Sequence, residues 1–417
     1  MLILKGNIIS APKFGELSIV EHGYLVADDL GKIVGVFSSL PKEFKGNKIN
    51  DYGDALIMQS FSDMHLHAPQ YPMLGMGMDL TLIDWLNTYT FPTEAHFKDP
   101  IVAREIYHRL ARELIKNGTT RVAMFSSLHK EATLILMDEL EKAGVCGYVG
   151  KVNMDRNGGV DLEETTEESI KSTKEWLKEC KFEHVKPIIT PRFTPSCTNE
   201  LMEELGKIAK ANNLPIQSHL SENTGEIAWV KELHPDCEEY WETYVKYGMW
   251  NNKTLMAHCV HSSLRERKAM KDAGVYVVHC AASNNNLISG YAKIKEMVKD
   301  GVKVVLGSDI AGGDHLSMFD CVSDTIRASK ARDILDDWKS GFLSVEEAYY
   351  LATSAANSFF DEKEGFAVGN KLHCLVLDDS NLVSVRPLSV KERFERSMYL
   401  REENAIKAVF SDGRKVY

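Results

Sequence analysis

The chain has no long hydrophobic run, since no apolar stretch approaches the roughly 18 residues that a membrane-spanning helix needs. Near its start, Lys5 interrupts the apolar residues after Met1 before they reach the length of a secretory signal. Positive charge is also scarce, because 49 Lys and Arg residues stand against 60 Asp and Glu residues, for a net charge of -11. That balance excludes the basic footprint of a nucleic-acid-binding protein. We therefore expect a cytoplasmic protein that binds neither membranes nor nucleic acid.

Paired cysteines are missing as well. Eight cysteines are scattered through 417 residues, and none of them forms a Cys-x-x-Cys pair. This pattern excludes a disulfide framework and fits a reducing compartment. We expect most of these cysteines to be small residues of the core.

Strand-like and helical segments alternate between residues 61 and 364. Helical stretches such as Ile101–Asn117 end at a glycine, here Gly118, which is a common helix stop. Near-continuous apolar strands that alternate with helices indicate a buried parallel sheet, and eight such units indicate a (β/α)₈ TIM barrel, with an open doubly wound sheet as the alternative. The eight apolar runs are Ala55–Met58, Arg121–Phe125, Val145–Val152, Val185–Thr190, Leu214–Ser218, Thr254–Ala257, Val275–Val278 and Val302–Leu306.

Both ends of the chain are rich in short β segments. Residues 1–60 contain several alternating apolar runs, with a hairpin turn at Asp28–Gly31. Residues 365–417 contain the strand-like runs Cys374–Asp378, Ala405–Phe410 and Lys415–Tyr417. We expect the two ends to form one small β-sandwich beside the barrel.

Metal-binding residue types recur at the ends of the predicted strands. His65 and His67 follow the first run, His219 the fifth, His258 the sixth and Asp309 the eighth. Because barrel enzymes place their chemistry at the carboxyl ends of the strands, we expect these side chains to converge. Imidazoles and a carboxylate with one open position suit catalytic zinc, and iron or manganese also fits. The alternative is that each residue has a structural role.

Two further stretches extend this pattern. Glu222 lies three residues after His219, where it could shuttle a proton or, alternatively, act as a helix N-terminal acid. The stretch Leu306–Gly313 around Asp309 contains glycines that allow close backbone approach. Neither common phosphate-loop pattern matches it, which argues against a nucleotide-binding loop.

Six segments of the chain resemble the amidohydrolase superfamily, and within it the enzymes that deaminate guanine. The resemblance follows nearly the whole chain in order. Asp79–Pro92 and Lys186–Phe193 carry most of the likeness to the guanine-deaminating branch. The six segments are Phe61–Tyr71, Asp79–Pro92, Lys186–Phe193, Gln217–Asn223, Met256–His258 and Gly307–Gly313.

The resemblance implies a metal-dependent hydrolase that converts guanine and water into xanthine and ammonia. It implies one metal ion per chain, zinc with iron(II) as the alternative, held by His65, His67, His219 and Asp309. Asp309 would also help to deprotonate the attacking water. The resemblance further suggests a homodimer.

The same resemblance implies roles for residues around the metal. His258 would hold the attacking water, and Glu222 would transfer protons. Gln70, Arg192 and Phe193 would recognise the purine. These residue types suit the task, because Arg donates only, Gln both donates and accepts, and Phe stacks on a base.

The chain departs from the superfamily pattern at two places. After the seventh predicted strand, His279–Asn284 lacks the usual proline at position 281, so we expect a looser loop there. Near the end, His373-Cys374 replaces the usual Ala-Asp of the returning strand, which concerns only the β-sandwich.

Two alternatives remain open at this point. The first is an aminohydrolase for another heterocycle, such as a pterin, cytosine or a triazine. The second is a non-catalytic assembly protein of the same fold, which the complete ligand set disfavours. A cytidine-deaminase-type zinc site is excluded, because it needs a Pro-Cys-x-x-Cys motif that Pro195-Ser196-Cys197 does not supply.

Overall fold

The computed structural model describes residues 1–159, 161–400 and 404–417. The strands are β1 (Leu2–Lys13), β2 (Glu16–Ala27), β3 (Ile33–Phe37), β4 (Ile49–Gln59), β5 (Phe61–His67), β6 (Thr119–Phe125), β7 (Cys146–Gly150), β8 (Val152–Asn153), β9 (Val185–Pro187), β10 (Thr190–Pro191), β11 (Ile216–Leu220), β12 (Thr254–His258), β13 (Tyr276–His279), β14 (Lys303–Leu306), β15 (Cys374–Leu377), β16 (Ile406–Ser411) and β17 (Arg414–Lys415). The α-helices are α1 (Leu82–Trp85), α2 (Phe91–Ala95), α3 (Pro100–Lys116), α4 (Lys130–Ala143), α5 (Thr166–Glu179), α6 (Asn199–Asn212), α7 (Thr224–Leu233), α8 (Glu242–Lys246), α9 (Leu264–Ala273), α10 (Ala281–Asn286), α11 (Ile294–Asp300), α12 (Met318–Leu335), α13 (Val345–Ala352) and α14 (Val390–Tyr399).

The middle of the chain is a mixed α/β structure of parallel strands that alternate with helices, as the sequence predicted. Two four-stranded parallel sheets have the orders β5-β6-β7-β9 and β11-β12-β13-β14, and β8 pairs with β10. A parallel bridge between Ile189 and Ile216 connects the region of β9 and β10 to β11. Strands such as β6 are buried along their whole length, because helices cover the outer face and other strands enclose the inner one.

The first strand of this region differs from the prediction. The run Ala55–Met58 belongs to β4. This strand pairs with β1 and β15 of the terminal sheet and not with the strands in the middle of the chain. The strand that pairs with β6 is β5, and it contains both His65 and His67. The chain passes directly from β4 to β5 with only Ser60 between them, so the predicted run lies one strand before the strand that carries the histidines.

The predicted strand Val185–Thr190 is divided into β9 and β10. Pro187 and Pro191 each end one of these short strands, and proline lacks the N–H that a ladder hydrogen bond requires. The prediction of helix α3 is close, because it runs from Pro100 to Lys116 and is capped by the Asp99 side chain, which accepts from the Ile101 N–H.

Both chain ends contribute to one seven-stranded sheet, with the order β17-β16-β15-β4-β1-β2-β3. The two ends thus share one sheet, whereas the expected β-sandwich stays a prediction. The turn at Asp28–Gly31 was also predicted: the Asp28 carboxylate accepts from the N–H groups of Leu30 and Lys32, and Gly31 has a φ of 74°. Helix α14 lies between β15 and β16 and was not predicted.

The sheet has two apolar faces. Ile9 and Met58 point into the large core that the parallel strands share with their helices. Ile8, Ile57 and Val376 point the other way, into a separate apolar cluster. Among the described residues, no helix is long and apolar enough to cross a membrane.

Candidate active site

Three histidines and one aspartate meet where the parallel strands end. The Nε2 atoms of His67 and His219 lie 3.2 Å apart. The Asp309 Oδ1 atom lies 3.2 Å from His65 Nε2 and 3.6 Å from His67 Nε2. The side chains of His65, His67 and Asp309 are buried, and that of His219 is partly buried. The structure thus brings together the four residues that the sequence singled out as ligands.

The three imidazoles present bare nitrogens to one another. Burial lowers the pKa of His65, His67 and His219, which favours neutral rings. His219 Nδ1 lies 2.6 Å from the backbone oxygen of Arg192, so this nitrogen carries the proton and Nε2 is left as a lone pair. Neutral imidazoles held in a fixed tautomer by a backbone carbonyl are the usual form of a histidine that binds a metal.

The Asp309 carboxylate is brought to the histidines by close contact between β14 and β5. The Asp309 backbone N–H donates to the His65 backbone oxygen at 2.8 Å. A Cβ atom added at Gly307 would lie 2.8 Å from the His65 Cβ atom. Glycine at position 307 is therefore required for this approach. Burial opposes the ionised carboxylate, but the neighbouring His65 and His258 lower the pKa of Asp309 well below its ordinary value.

Asp63 fixes the same two segments from below. Its carboxylate accepts from the Ser308 N–H at 2.9 Å and from the Ser308 hydroxyl at 2.5 Å. Asp63 lies within the first segment of the family resemblance, Phe61–Tyr71, but no role was predicted for it from the sequence. Its position shows that it ties the histidine-bearing strand to the segment that carries Asp309.

Glu222 and His258 form the other side of the cluster. The His258 Nε2 atom lies 3.5 Å from Glu222 Oε2 and 3.7 Å from Asp309 Oδ2, and its Nδ1 atom lies 2.9 Å from Asn284 Oδ1. Burial raises the pKa of Glu222 to about 7. Burial disfavours a charged His258, yet the charges of Glu222 and Asp309 raise its pKa overall. A carboxyl group that titrates near neutral pH can both accept and donate a proton.

The loop that lacks its proline leads directly into helix α10. Ala281 is the first residue of α10, a position where proline is tolerated but not needed. Asn284, in the same helix, contacts His258. The expectation of a looser loop stays a prediction.

A pocket opens above these residues. Gln70 follows β5, and Arg192 and Phe193 follow β10, so the three predicted recognition residues lie on two walls of the same pocket. Its lining consists of His67, Gln70, Leu82, Trp85, Leu86, Arg192, Phe193, His219, Glu222, His258, Leu287 and Asp309. This mixture of apolar and polar side chains suits a small heterocyclic ligand.

Two residues at the site were missed by sequence reasoning. The Cys280 sulfur lies within 4.8 Å of ligand atoms of His65 and Asp309. Glu94 is buried and forms an ion pair with Arg192, at 2.6 Å between Oε2 and a terminal guanidinium nitrogen. Glu94 lies just beyond the motif that ends at Pro92, and a single acid on a short helix has no pattern that distinguishes it.

The arrangement fits a cation. The Nε2 atoms of His67 and His219 lie 3.2 Å apart, and a proton or a positive ion between them would stabilise two neutral rings at this distance. His65 Nε2 faces Asp309 Oδ1 at 3.2 Å, and His67 Nδ1 is buried without a hydrogen-bond partner among the described residues. The ligand atoms of His65, His219 and His258 also lie within 4.8 Å of one another.

Comparison with known proteins agrees with this chemistry. The Amidohydrolase family matches residues 56–416. The guanine deaminase of Dictyostelium discoideum is 35% identical over 99% of this chain and 98% of its own length. That of Mus musculus is 36% identical over 100% of this chain and 96% of its own length.

A solved structure is also similar along the whole chain. It is a guanine deaminase from C. acetobutylicum with guanine bound in its active site, 44% identical, with a TM-score of 0.97 and all of both chains covered. The family and this likeness identify the fold as the mixed α/β TIM-barrel type. They also identify the chain as a hydrolase of a metal-dependent family. The chain therefore belongs to the amidohydrolase family and, within it, to the guanine deaminases.

Proposed function

We propose that the protein hydrolyses guanine to xanthine and ammonia. Water adds to the amino-bearing ring carbon, the carbon–nitrogen bond breaks, and the amino group leaves as ammonia. The observation that carries the proposal is that one pocket contains both the converging histidines with Glu222 and the predicted purine-recognising residues. The identity to guanine deaminases along the full chain supports the same substrate.

We propose that His65, His67, His219 and Asp309 hold one divalent metal ion, zinc, with iron(II) also suited to these ligands. The facing imidazole nitrogens of His67 and His219 and the contact of His65 Nε2 with Asp309 Oδ1 support this ligand set. Such an ion, when bound, makes water acidic enough to act as a nucleophile at neutral pH. Arg192 and Phe193 follow the fourth predicted strand, Val185–Thr190. Amidohydrolases with two metal ions have a modified lysine at this place, so its absence supports a single ion.

Glu222 would transfer the protons of the reaction. Its carboxylate takes a proton from the attacking water and delivers it to the ring nitrogen beside the attacked carbon. A pKa near 7, raised by burial, allows both steps at neutral pH. Asp309 would assist the first deprotonation. His258 lies between these two carboxylates and would hold the attacking water through Nε2.

Recognition of guanine would depend on the opposite wall of the pocket. Arg192 donates to the purine carbonyl and stabilises the charge that enters the ring during attack. Gln70 pairs with a ring edge that has both donors and acceptors. Phe193, buried at the pocket wall, stacks on the base.

We also propose that the parallel strands close into an eight-stranded (β/α)₈ barrel over residues 61–364. The segment after β14 returns to β5, with the Asp309 N–H donating to His65 and the His67 N–H donating to Ile310. The bridge at Ile189 supports continuity on the other side. Hydrogen bonds between β9 and β11 in a crystal structure would test this closure.

For the chain ends, residues 1–60 and 365–417, we propose a β-sandwich formed by one folded sheet. Ile8 on β1 and Phe410 on β16 are buried in one apolar cluster, although their strands are not neighbours in the sheet. The Leu372 N–H donates to the Gly31 oxygen, so the residues before β15 meet the turn before β3. A sheet that folds over this cluster would explain both contacts.

We further propose that the protein acts in the cytoplasm as a homodimer, without membrane or nucleic-acid partners. Apolar side chains near the end of α12 support a second copy, because Leu335 and Trp338 are 68% and 72% exposed. Sedimentation velocity would test the dimer. The test of the activity is ammonia release when purified protein is incubated with guanine.

A further inference from the structure

A buried carboxylate connects the two polar residues proposed to recognise the purine. Glu94, on α2, is only 2% exposed. Its Oε2 atom accepts from one terminal nitrogen of Arg192 at 2.6 Å, and its Oε1 atom accepts from the other at 3.1 Å. Oε1 also accepts from the Gln70 side-chain amide at 2.8 Å. One carboxylate thus contacts both recognition residues.

The other surroundings of Arg192 cannot replace this partner. The Phe91 ring lies 5.1 Å from the guanidinium carbon, and the Met154 sulfur lies 3.9 Å from a terminal nitrogen. Within the part of the chain that the structure describes, no second carboxylate forms an ion pair with Arg192. The orientation of this buried guanidinium therefore depends on the two-point contact with Glu94.

Glu94 also fixes which way the Gln70 amide points. A carboxylate only accepts hydrogen bonds, so the amide must turn its nitrogen toward Glu94. Its oxygen then accepts from the Ala311 N–H at 3.0 Å. A flipped amide would place oxygen against oxygen at Glu94 and N–H against N–H at Ala311. The donor and acceptor that Gln70 presents to the pocket are consequently set by Glu94 together with the Ala311 N–H.

We infer that Glu94 is a positioning residue that determines purine selectivity. It holds the Arg192 guanidinium and the Gln70 amide in one arrangement and thereby sets the pattern of donors and acceptors that a purine meets. This inference rests on the proposed recognition of guanine by Arg192 and Gln70. Glu94 is not among the residues that line the pocket, so it acts through these two residues.

The experiment compares guanine with 2-aminopurine, which retains the amino-bearing carbon but lacks the carbonyl that Arg192 would contact. In Glu94→Gln, the carboxamide presents one donor to groups that are themselves donors, so Arg192 and Gln70 must rearrange. We expect the ratio of kcat/KM for guanine over 2-aminopurine to fall by about 100-fold, since displacement of a positioned group by about 1 Å can cost that much. Metal content should stay at the wild-type level.

A matched control is Glu139→Gln. Glu139 is also buried, and it forms an ion pair with the exposed Arg104 between α3 and α4. The Glu139→Gln variant should leave the selectivity ratio unchanged. Glu94→Asp retains the charge but has a shorter side chain, so it should lower the selectivity ratio by a smaller factor. Because both variants are measured, the test does not depend on the folding of Glu94→Gln alone.

A second background separates positioning from a general structural effect. If Glu94 acts through Arg192 and Gln70, then Arg192→Met/Gln70→Leu and the triple variant that adds Glu94→Gln should have selectivity ratios within about twofold of each other. The triple variant contains no unpaired guanidinium, which favours its folding. A further drop in the triple variant would overturn the inference.

Two other results would also overturn it. One is an equal loss of kcat/KM for both purines in Glu94→Gln, which a merely structural role predicts. The other is a crystal structure of Glu94→Gln in which Arg192 and Gln70 keep their wild-type positions. Failure of the proposed function would be seen separately, as wild-type protein that releases no ammonia from guanine, and the crystallographic result would still decide the role of Glu94.

Discussion

His67 and His219 lie on different strands, β5 and β11, and their Nε2 atoms face each other at 3.2 Å. The His219 ring is held by the Arg192 backbone oxygen, so its facing nitrogen has no proton to offer. A cation shared by the two rings would suit this distance. The relationship connects the proposed ligand cluster to the proposed purine-recognising wall, because Arg192 contributes its backbone to one and its side chain to the other.

The first prediction concerns the metal. Wild-type protein should contain about one transition metal ion per chain, and His219→Ala should lose most of it together with activity, because one of four ligands is removed. Elemental analysis after dialysis measures the content. His96→Ala, at an exposed histidine, serves as control and should retain the metal. Full activity in metal-free protein would contradict the prediction, and two ions per chain would refute the single-metal proposal.

The second prediction separates proton transfer from metal binding. Glu222→Gln preserves the size of the side chain but removes its ability to accept a proton. We expect kcat to fall by about 10² to 10⁴-fold, the usual contribution of general acid–base catalysis. Metal content, measured on the same preparation, should remain near the wild-type value. Loss of the metal would instead reassign Glu222 as a ligand.

The third prediction concerns Arg192. Arg192→Ala removes the donor for the purine carbonyl and leaves Glu94 buried without its main partner. We expect kcat/KM for guanine to fall by about 10⁴-fold, the scale at which a polar site rejects a mismatched pairing. The metal should remain, since only the Arg192 backbone contacts His219. Activity within about tenfold of wild type would show that Arg192 does not read the substrate.

The sequence predicted the ligand cluster because barrel geometry alone places strand ends together. His65, His219 and Asp309 are far apart in the chain, yet each follows or ends an apolar run that is recognisable without the structure. Glu94 could not be found in this way. Its role arises from contacts with Gln70 and Arg192 across the pocket, and a single buried acid on a five-residue helix leaves no periodic signal.

Strand boundaries were predicted less well where the chain does not follow simple alternation. The apolar run before His65 was predicted to be the first strand of the barrel. It instead belongs to β4 of the terminal sheet, which leads directly into β5. Pairing between β4 and β1 is parallel and shifts register between Lys5 and Asn7. Neither feature is encoded in local hydrophobicity, because pairing partners depend on tertiary packing.

The fourth prediction uses a histidine outside the active site. His315 Nε2 lies 2.9 Å from Asp324 Oδ2, and Asp314 lies 3.9 Å from the same nitrogen. Burial lowers the pKa of His315, but the hydrogen bond to Asp324, the contact with Cys321 and the charge of Asp320 together raise it to about 11. A folded-state pKa above the unfolded value of 6.5 means that the stabilisation is complete below pH 6.5.

This stabilisation is lost as the pH rises from that value through about 11. His315→Gln should therefore lower the Tm more at about pH 6 than at about pH 9. Thermal unfolding of both proteins at the two pH values gives the comparison, with His96→Gln as control. A deficit that is equal at both pH values, or larger at the higher one, would contradict the assignment.

The most direct test of the central claim is substrate choice on one preparation of wild-type protein. Values of kcat/KM for guanine, adenine, cytosine and a pterin can be measured by ammonia release. Adenine presents an amino donor where guanine presents a carbonyl, so it would meet Arg192 donor against donor and leave a buried charge unpaired. We predict that guanine exceeds each of the other three by about 10⁴-fold or more. A higher kcat/KM for adenine, cytosine or the pterin than for guanine would contradict the account.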